Sequence, residues 1–301
     1  IGAPRSGTTW LQALLASHRE VHSCPETQFF AACSGLFRYM ESERDRLIGL
    51  NAILDEASFY RMIRQMFHFT LGRIEPPAHP VSIFLEKTPH HAFHVRHIRK
   101  AFPEARFIHL IRDPRSVVAS LVRISKSWGK KWAPRTKTQA AYRWKEHVEA
   151  SMEAADPTGN PPADCFDLKY EDLIRDPEGR LRALFQWMEL EADAQWIRET
   201  VEAHGIDKVR SAKEPFASIG SIKVREMAAR NNSEYPSGFI GDGSKGDQDH
   251  DLSDLEVYKV EGITGSLMKK HGYPLQFPNR SWLRSMRTST RVRKLVRLPE
   301  I

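Results

Sequence analysis

The sequence predicts an α/β fold, a P-loop-like central parallel β-sheet flanked by helices on both faces. Three observations predict it. A glycine-bounded turn, GAPRSGTTW at residues 2–10, opens onto Trp10, Leu11, Leu14 and Leu15 at helical spacing. A β-like run, Phe107-Ile108-His109-Leu110-Ile111, ends at Arg112-Asp113-Pro114, with the proline placed to start another helix. Between these, strand, helix and strand are expected at 82–86, 91–102 and 106–111, the alternation of parallel βαβ units.

The first turn carries the chemistry. Gly2 and Gly7 have the spacing of the phosphate-binding pattern G-x-x-x-x-G-K-[ST], and Thr9 holds the hydroxyl place. Where a lysine should reach the outer phosphates of a nucleoside triphosphate, the chain has Thr8. Backbone N–H groups of such a loop, with the helix behind them, still bind an anion. A triphosphate with its magnesium ion is poorly served. Residues Arg5, Ser6, Gly7, Thr8 and Thr9 therefore read as a holder for a 5′-phosphate-type group, with Arg5 as its cation. The bland alternative is a glycine-rich turn ahead of an amphipathic helix.

PRSGTTWL in this turn resembles the 5′-phosphosulfate loop of the sulfotransferases that use 3′-phosphoadenosine 5′-phosphosulfate (PAPS) and release adenosine 3′,5′-bisphosphate (PAP). RFIHLIRDPRSVVASL, residues 106–121, is similar to their second nucleotide segment. The resemblance implies that Arg112 and Ser120 hold the 3′-phosphate. A guanidinium fork and a hydroxyl both suit phosphate oxygens. Cys24-Pro25-Glu26-Thr27-Gln28-Phe29-Phe30 looks like the segment bearing the catalytic glutamate in Golgi-type and tyrosylprotein members, which makes Glu26 the candidate general base. Partial burial of that carboxyl would bring it toward neutrality and suit it to deprotonate an acceptor hydroxyl. Cytosolic members use a histidine near a lysine, so His90 or His91 in Lys87-Thr88-Pro89-His90-His91 is the competing base. Lys87 follows a strand, at the sheet edge where open α/β folds bind ligands. The resemblance gives it, with Arg5, the task of neutralising charge on the transferred group. Tyr170, in Leu168-Lys169-Tyr170-Glu171-Asp172-Leu173, is either a nucleotide contact or a half-buried residue at a strand end. Lys245 is a further nucleotide ligand implied by the resemblance, although Asp247 and Gln248 depart from the family pattern there.

The remaining elements follow in order. A helix is expected from Thr9 to about Ser17, and a long one over 42–71, rich in apolar residues such as Leu47, Ile53, Phe59, Ile63 and Phe67. Residues 75–80, EPPAHP, form a linker. Helices are expected at 137–155, 177–189, 194–203 and 252–271, with a strand at 165–169. The stretch 238–253, GFIGDGSKGDQDHDLS, reads as a lid or nucleotide-covering loop. Its Asp242, Asp247, Asp249 and Asp251 do not have the spacing of an EF-hand loop.

Composition bounds the rest. The 301 residues are 41% hydrophobic and 28% charged, enough to bury a substantial core. We expect one domain over 1–278 and a basic tail over 279–301. That tail holds seven Arg or Lys residues between Asn279 and Leu298 and no acid, which accounts for the formal charge of +7. It reads as a solvated basic helix or as a contact for an anionic membrane surface, an acidic polymer or a neighbouring subunit of a homodimer. No recognised nucleic-acid module accompanies the charge. No run approaches the roughly 18 uncharged apolar residues of a membrane span. Cys24, Cys33 and Cys165 suggest neither a disulfide scaffold nor zinc, with one bridge involving Cys24 and Cys33 as the alternative to reduced thiols. No metal is expected.

The strand that should precede Gly2 is represented by Ile1 alone, so the numbering begins inside an element and any targeting signal is out of view. The expected setting is a bacterial-type cytoplasm, or the Golgi lumen if an anchor has been removed. The sequence thus reads as an enzyme moving a sulfuryl group from PAPS to a hydroxyl or amine on a small-molecule, glycan, lipid or peptide acceptor. A P-loop kinase or NTPase and a non-catalytic nucleotide-binding protein are the rival readings.

Overall fold

The computed structural model describes residues 1–42, 49–74, 80–152, 164–205 and 251–278. Lys245, most of the 238–253 stretch and the basic tail 279–301 lie outside the described residues.

Helix α1 spans Thr8–Ala16 and starts from Gly7, whose φ of 94° is the left-handed conformation glycine adopts most cheaply. The short strand β1, Val21–Ser23, is absent from the sequence expectations, and so are helices α2, Phe29–Ala32, and α3, Ser34–Glu41. Each has too few residues to display a period. The single helix expected over 42–71 is corrected to α4, Leu50–Ile53, and α5, Glu56–Leu71. Leu54 and Asp55 between them are extended. The Asp55 carboxylate accepts the Ser58 N–H at 2.7 Å, so a capping residue restarts the helix.

Strand β2, Ile83–Leu85, leads into a 3₁₀ turn at Pro89–His94 and then α6, Val95–Ala101. Strand β3 is Phe107–Ile111, and α7 runs over Pro114–Ser125 behind the Asp113 cap, with Pro114 in the first turn as expected. Helix α8, Lys137–Met152, strand β4, Cys165–Lys169, and helices α9, Tyr170–Arg175, α10, Pro177–Trp187, and α11, Ala194–Ala203, follow. Helix α12, Asp254–Lys270, opens with a Ser253–Glu256 capping box.

The strands pair in parallel, β1 with β2 from Val21↔Ile83 to Ser23↔Leu85, and β3 with β4 from Phe107↔Cys165 to Ile111↔Lys169. Ile1 runs beside β3, donating to Ile108 O at 2.7 Å and accepting from Leu110 N–H at 3.0 Å. Gly2 is pressed against the same strand, since a Cβ there would lie 2.3 Å from Leu110 O. A cavity of about 620 Å³ lies among Leu15, Phe84, Phe102 and Ile108, with Thr8, Glu86 and Lys87 also on its wall.

Three apolar clusters fix the helices. One packs α1 with α10 and α11 through Leu14, Leu181, Leu184, Phe185 and Ile197. A second joins α7, α8 and α12 through Val118, Leu121, Trp144, Val148 and Met268. An aromatic third, including Phe30, Phe37, Phe59 and Phe67, gathers α2, α3 and α5. Cys24, Cys33 and Cys165 are free, buried thiols, so no Cys24–Cys33 bridge forms.

Trp144 is fully buried, and its indole N–H donates to Arg112 O at 2.9 Å. Trp144→Ala should therefore cost about 3–5 kcal/mol, read as a lower denaturant midpoint in chemical unfolding.

Candidate active site

Residues 2–9 fold as a loop whose shape its sequence enforces. Arg5 has φ 74°, a left-handed conformation costing a non-glycine residue roughly 1–2 kcal/mol. At Gly7 any Cβ would lie 2.5 Å from the Tyr170 ring, so only glycine fits between loop and tyrosine. The Ser6 hydroxyl is buried and has no hydrogen-bond partner among the described residues.

The second predicted grip meets the first. Arg5 Nε donates to Ser120 Oγ at 3.0 Å, joining positions 115 residues apart. Arg112 Nη1 donates to Arg5 O at 3.3 Å, and its guanidinium lies over the Tyr170 ring at 4.1 Å. Arg5 in turn faces the Trp128 ring at 5.6 Å. Burial first, and then the Arg112 and Arg123 charges, lower the Arg5 pKa to about 10, which leaves it cationic at neutral pH. Arg5, Ser120, Arg112 and Tyr170 thus converge, and Tyr170 is buried at the start of α9 rather than half exposed. Trp128 and Arg123 are additions that sequence reasoning missed, since neither belongs to a spaced motif.

A buried polar network sets the Arg112 turn. Arg115 donates to Asp113 and to Glu261, the latter at 3.2 Å. Glu171 accepts the Asp113 N–H at 2.9 Å and the Tyr273 hydroxyl at 2.7 Å. Glu261 also accepts the backbone N–H groups of Gln276 and Phe277. Helices α9 and α12 and the chain after α12 are thereby tied to the base of α7.

Glu26 is positioned by a separate set of hydrogen bonds. Gln12 on α1 donates to Ser23 Oγ and Cys24 O, both at 2.8 Å, and Ser23 donates to Leu85 O at 2.7 Å. Glu86 then accepts from the Thr27 N–H and hydroxyl and from the Thr88 hydroxyl, with His91 Nδ1 at 2.8 Å. Burial alone would raise the Glu86 carboxyl, but the His91 and hydroxyl hydrogen bonds prevail and hold its pKa at about 2. These bonds bring the Glu26 loop beside the end of β2, where Lys87 forms an ion pair with Glu26. The Glu26 side chain is 38% exposed, so its carboxylate is partly buried and still open to solvent. Lys87 is nearly buried.

Of the competing histidines, His91 is committed. Its Nδ1 faces Glu86 and its Nε2 accepts the Phe30 N–H at 3.3 Å, which leaves no nitrogen for catalysis. His90 is half-buried, its pKa lowered by burial and by Arg143, with Glu26 acting in the opposite sense. Among the described residues no group of His, Cys, Asp and Glu is arranged for a metal ion.

With this geometry in view, the relatives are informative. The sequence pattern of the Sulfotransferase family matches residues 1–194. The chain belongs to the sulfotransferase family. Over 113 residues this sulfotransferase-family chain is 33% identical to the omega-hydroxy-beta-dihydromenaquinone-9 sulfotransferase Stf3 of Mycobacterium bovis, a match covering 35% of the chain and 28% of that protein. Over 201 residues it is 27% identical to protein-tyrosine sulfotransferase 1 of Danio rerio, covering 63% of the chain and 52% of that protein. Hence the chain spans well under two thirds of either relative's length. Mouse sulfotransferase SULT7A1 complexed with PAP superposes with a TM-score of 0.56 at 11% identity, over 90% of this chain and 83% of that one. Retinol dehydratase in complex with androsterone and PAP gives a TM-score of 0.52 at 16% identity, over 92% and 81%. These two structures bear on the fold alone, and they agree with the α/β architecture.

Two outcomes follow from the geometry. Gly7→Ala should destabilise the protein by about 1–2 kcal/mol from the left-handed backbone alone, with displacement of Tyr170 adding to it, measured by chemical denaturation. The Glu86 pKa is depressed, so its contribution to stability is complete above the ordinary value of 4.5 and is lost as pH falls through about 2. Glu86→Gln should therefore lower the melting temperature at neutral pH and flatten its decline between those pH values.

Proposed function

We propose that this chain moves a sulfuryl group from PAPS to an acceptor hydroxyl or amine by in-line transfer, with Glu26 as general base. The observation that carries the reading is the Arg5–Ser120 hydrogen bond, 3.0 Å, between the grip for a 5′-group and the grip for a 3′-phosphate. A doubly phosphorylated nucleoside presents both groups on one sugar, so two adjoining grips suit it.

The residues present fit such a donor. Arg5 and Arg112 supply positive charge, and the buried Ser6 hydroxyl has no other partner among the described residues. A turn of this kind ahead of a helix offers backbone N–H donors to an anion. PAPS, when bound, supplies the sulfuryl group and a phosphate leaving group. Arg5 and Lys87 neutralise charge on the oxygens that become more negative as the bond breaks. Glu26 takes the acceptor proton once Lys87 turns from it toward the donor. A magnesium nucleoside triphosphate is the poorer fit, because Thr8 stands where the loop lysine would be. The named relatives act on a menaquinone derivative and on protein tyrosine, which supports a lipid or peptide hydroxyl ahead of a glycan or small molecule. No helix among the described residues is long and apolar enough to cross a membrane.

Calorimetric titration with PAP tests the donor, and labelled PAPS added to a cell extract identifies the acceptor from the labelled product. Glu26→Gln should leave PAP affinity nearly unchanged and lower turnover about 10²-fold or more. Undiminished turnover would transfer the role to His90. Arg112→Ala should weaken PAP binding by roughly 10-fold to 10²-fold, the worth of a charge-assisted hydrogen bond, and unaltered affinity would overturn the 3′-phosphate assignment.

A further inference from the structure

The connection between α7 and α8 carries charge that the described chain leaves unanswered. From Pro114 to Lys145 the sequence has nine Arg or Lys residues and no acid. Arg115, Arg123, Lys137 and Lys145 form ion pairs with carboxylates from elsewhere or from the helix itself. Lys126, Lys130, Lys131 and Arg135 are exposed and form no ion pair among the described residues. The backbone gathers them. Gly129 N–H donates to Ile124 O at 2.9 Å, and the Trp132 and Ala133 N–H groups both donate to Gly129 O, at 3.0 and 2.8 Å. Like charges held in so short a run of turns repel one another, and nothing in the described chain offsets that cost.

Among these cations stands a large apolar ring. Trp132 directly follows Lys131 and is 39% exposed. Its ring centre lies 5.7 Å from that of Trp128, and the Trp128 ring faces the Arg5 guanidinium at 5.6 Å. The patch therefore adjoins the loop of residues 2–9. Three of its four unpaired cations are lysines, compact hydrated charges without the fork by which arginine grips one fixed carboxylate or phosphate. Such charges suit a fluid array of anions. Tryptophan, apolar in body and polar at its N–H, is the side chain that settles where headgroups meet acyl chains. An acidic peptide would use the charges and give the exposed ring no task.

We propose that residues 126–135 dock on an anionic membrane surface, with the four cations among the headgroups and Trp132 at the boundary with the acyl chains. Attraction to anionic lipids and burial of the ring act together there. The proposal deepens the reading of a lipid hydroxyl as acceptor and rests on it for its purpose. A turn beside Arg5 would hold the nucleotide site close to the surface from which such a hydroxyl emerges. Docking itself needs neither donor nor acceptor, so the two readings are tested apart.

Co-sedimentation of the full chain with vesicles measures the docking, and the basic tail is kept in every variant so that its own pull is constant. We expect binding to phosphatidylcholine–phosphatidylglycerol vesicles that weakens with added salt, and far weaker binding to phosphatidylcholine alone. Replacing two exposed lysines together, Lys130→Gln with Lys131→Gln, should lower the partition about tenfold to 10²-fold while PAP affinity stays in place. Acyl-chain-brominated lipid should quench tryptophan fluorescence in the wild type, and Trp132→Ala should reduce that quenching. Absent vesicle binding, equal binding to both vesicle types, or a partition unmoved by the lysine pair would each overturn the proposal. Quenching undiminished in Trp132→Ala would do the same. Binding of polyglutamate that depends on the lysine pair, without vesicle binding, would replace the membrane with an acidic peptide. Failure of the wild type to bind PAP would sink the sulfotransfer reading instead, and leaves the vesicle result to stand or fall by itself.

Discussion

Two guanidinium groups, those of Arg5 and Arg112, are held close together, and much of the surrounding structure is what that juxtaposition requires. Like charges in a partly desolvated site repel more strongly than in water, and the lowered pKa of Arg5 registers both the burial and the neighbouring arginines. The Trp128 and Tyr170 ring faces offset part of that cost. The left-handed backbone at Arg5 adds strain of the kind that persists where a ligand uses it. An anion placed between the two arginines would relieve the repulsion that the bare fold sustains.

Arg115, three residues after Arg112, has the opposite circumstances. It is buried with Asp113 and Glu261, and Glu171 completes the network from α9. Among the described residues Arg112 has no carboxylate partner. One arginine of the turn is therefore neutralised by buried carboxylates, and the other, among the described residues, is not. The distinction arises from Asp113, two residues before Arg115, and from Glu171 and Glu261, both distant in sequence, and breaking such a buried set is far costlier than breaking a surface pair.

Much of this was legible in the sequence, for identifiable reasons. Strands β3 and β4 and helices α7 and α11 showed clear apolar periods with proline, aspartate or polar residues at their ends. The loop of residues 2–9 and the Arg112 turn were readable because their chemistry is written in adjacent residues. The break at Leu54 and Asp55 was hidden by continuous apolar spacing, and one side-chain cap outweighed it. Glu86 gave no signal, since its partners Thr27 and His91 lie on different segments and only the packing of β1 against β2 unites them. Trp128 escaped for the same reason. The exposure of Glu26 depends on how a short loop settles over β2, which no local pattern encodes.

The ion pair between Lys87 and Glu26 has a temporal consequence. In the free protein the proposed proton acceptor, Glu26, is paired with the very cation that an incoming sulfuryl donor would attract. Loading the nucleotide side would unclasp the carboxylate, so a hydroxyl arriving early would find its base occupied. Such an interlock would impose an order of events, donor ahead of acceptor, through a single lysine choosing between two anions.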